Sequence, residues 1–63
     1  MSNKIYEITI NEGSAPNKKI VFDSDSSEKM NTSEIITSAV AHNVIQTKDV
    51  RWIDSIKDIT NSN

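Results

Sequence analysis

The chain has 63 residues, seven basic and nine acidic side chains, one histidine and no cysteine. A chain this short folds as one domain, buries only about 60% of the surface its unfolded form exposes, and draws on the order of 3–5 kcal/mol from its core. The missing cysteines exclude disulfides and thiolate zinc sites, and a near-balanced charge of −2 with no basic stripe argues against a duplex-binding surface.

Residues 4–11, KIYEITIN, alternate, with Tyr6, Ile8 and Ile10 on one face and Glu7, Thr9 and Asn11 on the other. Period two with β-branched and aromatic side chains predicts a half-buried strand. Residues 12–17, EGSAPN, hold the only glycine and the only proline, and predict the loop of an antiparallel hairpin. KKIVFDS, residues 18–24, supplies the second strand. The polar, acidic run 23–29, DSDSSEK, reads as a connector.

Residues 30–44, MNTSEIITSAVAHNV, carry start and stop signals for a helix over about 32–42. Asn31 is an N-cap and Glu34, three residues on, completes a capping box. Met30 and Ile35 have the spacing of a hydrophobic staple. Asn43 is placed to adopt the left-handed C-terminal conformation, with Val44 touching Ala39, and His42 sits where the helix dipole favours a cation. Ile36, Ala39 and Val40 form the packing stripe at 3.6 residues per turn, with Ile35 at its edge. The other face presents Ser33, Thr37, Ser38 and Ala41, a nearly uncharged ridge of small side chains. It is the candidate contact surface for a partner or for a two-fold homodimer.

Residues 45–60 fit two patterns. Trp52, Ile53, Ile56 and Ile59 make a helical stripe, whereas Val50, Trp52 and Ile53 favour a strand. Thr47 as a cap supports the helix. A third strand over roughly 49–56 is the preferred reading, and residues 60–63 form a frayed tail, as do 1–3. The resulting fold class is α+β: a hairpin, one α-helix on one sheet face, and a third strand, in the order ββαβ. Its expected core contains Ile8, Phe22, Ile36, Val40 and Trp52.

Catalysis needs a nucleophile, a base and a group to orient them. Cysteine is absent, the single histidine lies at a helix end, and none of the nine serines sits in a glycine-flanked elbow. Asp23, Asp25, Glu28 and Glu34 fall at calcium-loop positions, but Glu28 stands where the loop requires glycine. One glycine cannot build a phosphate loop. The residues therefore predict no enzyme, no metal and no cofactor. Charges inside the N-terminal apolar run, and the lack of any apolar stretch near 20 residues, predict a cytoplasmic chain with no membrane contact.

What remains is a protein-interaction module whose expected partners are a target protein and a second copy of the chain. Ile, Asn and Lys supply 23 of the 63 residues, all with A/T-rich codons, which suggests a phage or mobile-element factor that binds and inhibits a host protein. The alternative is a small RNA- or single-strand-binding protein displaying Tyr6, Trp52, Arg51 and Lys48 on a sheet face.

Overall fold

The computed structural model describes residues 2–60. Strands β1 (Ile5–Ile10) and β2 (Lys18–Asp23) form the expected hairpin, followed by helix α1 (Thr32–Ala41), a 3-10 helix η1 (Thr47–Trp52) and strand β3 (Ile53–Asp58). All pairing is antiparallel and the sheet order is β2-β1-β3. The predicted ββαβ architecture is therefore the observed one, with the N-terminal strand at its centre.

Strand alternation sends Tyr6, Ile8 and Ile10 to one face, where all three are buried. Their neighbours across the ladder are Phe22 and Ile20 on one side, and Ile56 and Ile53 on the other. Helix α1 adds Ile35 and Ala39 to this layer, and Ile45 closes it. Tyr6 also ties the two layers together, because its hydroxyl accepts the Met30 N–H at 3.2 Å. A buried phenol needs such a partner.

The helix signals operate as read. Asn31 accepts the Glu34 N–H at 2.9 Å, and the Glu34 carboxylate accepts the Asn31 N–H at 3.0 Å. At the other end Asn43 has φ of +60°. Its N–H donates to the Val40 carbonyl at 3.0 Å, and the Val44 N–H donates to the Ala39 carbonyl at 2.8 Å. Those two bonds make a Schellman termination. His42 is the C-cap residue, so the helix closes one residue earlier than predicted.

Three expectations about the core are corrected. Ile35, not Ile36, is the fully buried helix isoleucine, and Ile36 is only half-buried outside the core cluster. The staple explains this: Met30 packs against the core, so its partner four helical positions on must face the same way, and Ile36 is rotated about 100° from it. Val40 packs against the core while remaining half-exposed. Trp52 is 41% exposed and lies outside the cluster. Ile53, next in sequence, opposes Ile10 on the buried face, so the adjacent Trp52 turns away from it.

The ambiguity over residues 45–60 has a structural cause. The segment is 3-10 helix first and strand second, and the strand is irregular. Thr9 pairs with Ser55 while Ile10 pairs with Ile53, leaving Asp54 as a bulge. A bulge inserts one residue into one strand. Ile53 and Ile56 can thus share the core face three positions apart, a spacing that imitates a helix.

Thr60 does not belong to a frayed tail. Its Oγ1 accepts the Ile5 N–H at 3.0 Å, and its hydroxyl and backbone N–H both donate to the Asp58 carboxylate. Those two bonds, the hydroxyl's first, hold the Asp58 carboxyl below its ordinary value of 3.8. Met1 and the remaining tail residues, 61–63, lie outside the described residues.

Candidate functional site

The 3-10 helix builds an open depression on the surface. Asp49 starts it by accepting the Gln46 N–H at 3.2 Å, while the Asp49 N–H donates to the Gln46 carbonyl at 2.9 Å. Gln46, not Thr47, is thus the N-cap residue. At the other end the Trp52 carbonyl accepts the Asn11 N–H at 2.9 Å, which fixes the turn to the end of β1. Glu12, on the loop after β1, then faces the short helix across an open depression of about 520 Å³. Thr47, Lys48, Asp49, Arg51 and Trp52 complete its lining.

The chemistry of this groove is mixed. Trp52 offers a large apolar surface with one N–H donor, and Arg51 and Lys48 supply two cations. Glu12 and Asp49 place two carboxylates in the same lining, so the local charge is balanced. Such a surface suits recognition, because tryptophan and arginine are the side chains most often found at the energetic centres of protein interfaces.

The predicted contact residues of the helix lie elsewhere. Ser33, Thr37 and Ala41 are exposed, whereas Ser38 is half-buried. Ser33, Thr37 and Ser38 line a shallow depression with Met30 and Glu34. Ala41 does not share it. The helix-cap residues Asn31, Glu34 and Asn43 are engaged in the backbone bonds described above.

No family model, curated protein or solved structure matches this chain. His42 is exposed; its Nδ1 lies 2.8 Å from the Ser38 carbonyl and therefore donates to it, and its ring sits 6.0 Å from that of Phe22. Two carboxylates of the calcium-loop pattern are occupied locally: Asp23 accepts the Asp25 N–H at 3.0 Å, and Glu34 belongs to the capping box. Among the described residues no three acidic or histidine side chains gather in a cluster fit for a metal ion. No helix there is long and apolar enough to cross a membrane.

The displayed aromatic face expected for nucleic acid does not form. Tyr6 is 2% exposed and faces the helix, so it is not on one surface with Trp52, Arg51 and Lys48. A tryptophan in a short chain is ordinarily core. The sequence shows only that one of Trp52 and Ile53 can face inward from a strand, and the pairing of Ile53 with Ile10 decides which.

Proposed function

We propose that this chain is a non-enzymatic protein-interaction module that engages its partner through the Trp52 groove. The observation carrying this reading is Trp52 itself. It is the one large aromatic left 41% exposed in a domain with little core to spare. Removing that indole from water on binding gives a sizeable apolar gain, and Arg51, Lys48, Glu12 and Asp49 around it supply the polar rim that gives an interface its register. The A/T-rich composition extends the proposal to a phage or mobile-element factor whose partner is a host protein that it inhibits.

A second reading has one observation in its favour, the presence of Trp52, Arg51 and Lys48 in a single groove, which resembles a stacking platform with cations. The two carboxylates there and the burial of Tyr6 weigh against it. Both readings are tested together by quantitative affinity capture from the producing or infected cells, comparing the wild type with Trp52→Ala, and with a Thr37→Glu/Ala41→Arg control on the helix ridge. A protein-binding groove predicts that specific partners are lost from Trp52→Ala, retained by the ridge variant and little affected by salt. Capture of nucleic acid falling steeply between 50 and 200 mM salt supports the second reading. Loss of partners from the ridge variant alone moves the contact surface to Ser33, Thr37, Ser38 and Ala41.

A further inference from the structure

Strand β2 is an edge strand with only β1 beside it. The Ser24 N–H donates to the Lys4 carbonyl at 3.1 Å, one step beyond the Ile5–Asp23 pair. Antiparallel ladders alternate hydrogen-bonded and non-bonded pairs, so the pairs Tyr6–Phe22 and Ile8–Ile20 bond across to β1. The N–H and C=O groups of Lys19, Val21 and Asp23 therefore point outward along the free edge. The side chains of these same three residues lie on the sheet face opposite the core, and all are exposed. Val21, at 60%, is the most exposed large hydrophobic residue among the described residues.

We propose that two copies of this chain pair antiparallel along β2, on a two-fold axis at Val21, to make a continuous six-stranded sheet. The edge sequence is complementary to itself in this register. Val21 meets the partner's Val21, Lys19 meets the partner's Asp23, and Asp23 meets the partner's Lys19. All three pairs fall at hydrogen-bonding positions, as the outward N–H and C=O groups require. On the other face Ile20, half-buried in the monomer, meets the partner's Phe22 and extends the core layer. Other registers fit less well. A shift of two residues sets Lys19 or Asp23 against the partner's valine, a shift of four sets lysine on lysine or aspartate on aspartate, and odd shifts mismatch the bonding positions. Opposite charges facing across strands stabilise a pair, and like charges destabilise it.

The other edge does not offer this. Strand β3 is interrupted by the Asp54 bulge, a feature that twists an edge away from pairing. Because β2 and β3 are opposite edges, the pairing leaves both Trp52 grooves free at the outer ends of the sheet. The dimer does not depend on what those grooves bind.

The test is sedimentation equilibrium of the wild type over a wide concentration range, with residue-resolved amide hydrogen exchange. A dimer is expected in which the Lys19, Val21 and Asp23 amides become protected as concentration rises. Val21→Glu, an exposed position that leaves the fold intact by circular dichroism, raises the dissociation constant about tenfold or more. Lys19→Asp alone and Asp23→Lys alone each weaken the dimer, and the double exchange Lys19→Asp/Asp23→Lys restores it. A monomer at every concentration overturns the proposal. So does a dimer whose Lys19, Val21 and Asp23 amides stay unprotected, or one in which the double exchange is no better than either single change.

Discussion

Truncating Phe22 and Trp52 to alanine separates a core aromatic from a surface one. Phe22 is 1% exposed and among the largest fully buried side chains. Its removal opens a closed cavity at a cost of about 3–5 kcal/mol, comparable to the whole stability expected for a domain of this size. Phe22→Ala should therefore be largely unfolded at room temperature. Trp52 leaves no closed cavity and already exposes 41% of its surface, so Trp52→Ala should cost only about 0.5–1.5 kcal/mol. Urea and thermal melts followed by far-UV circular dichroism measure both. The single tryptophan gives a direct check, since native-state fluorescence should be readily quenched by acrylamide. An unfolded Trp52→Ala protein, or an indole shielded from quencher in the native state, would refute the placement of Trp52 and the interface built on it.

Asn31→Ala removes the N-cap acceptor and should cost about 1 kcal/mol, lowering the melting midpoint by about 4–8 °C. Asn43 stands at φ of +60°; Asn43→Val forces a β-branched residue into that region and should cost about 1–3 kcal/mol, while Asn43→Gly should be tolerated, as paired urea melts would record. The Asp58 carboxyl is held below its ordinary value by the Thr60 hydroxyl and N–H, so its charged form is favoured by folding. Its stabilising contribution should be complete above the unfolded value near 4 and fade as pH falls through the lower folded value. Thr60→Ala should reduce that contribution, seen as a smaller difference between melting midpoints at pH 6 and pH 3.

The parts of the fold legible in the sequence are those set by short-range rules. The hairpin follows from the alternation of Tyr6, Ile8 and Ile10, and the helix from Asn31, Glu34 and Asn43, where side chain and backbone are only a few positions apart. Ile35 and Ile36 are chemically identical neighbours, and which one faces inward depends on how Met30 and Val44 seat the helix ends on the sheet. The bulge at Asp54 depends on pairing with Thr9 and Ile10, at the other end of the chain, and nothing near Asp54 announces it. Trp52 is exposed for the same non-local reason, because Ile53 takes the position opposite Ile10. A three-stranded open sheet has two free edges, but which residues of β2 turn their backbone groups outward is set by its register with β1.

The clasp between Ile5 and residues 59–60 also bears on how this fold assembles. The Ile59 N–H donates to the Ile5 carbonyl at 2.9 Å, and Thr60 accepts the Ile5 N–H. The outer ends of β1 and β3 therefore lie side by side, so a short peptide joining them would turn the chain into a ring with little distortion of its native form. Opening that ring in the exposed loop around Gly13 would give a circular permutant running β2, α1, η1, β3, β1. In it the β1–β3 ladder becomes a local hairpin, and the β1–β2 ladder becomes the distant closure. Folding speed depends on how far apart in sequence the paired residues are. The two chains would share one final structure yet differ in which ladder forms early, and comparing their folding rates would reveal which strand pairing limits assembly of the sheet.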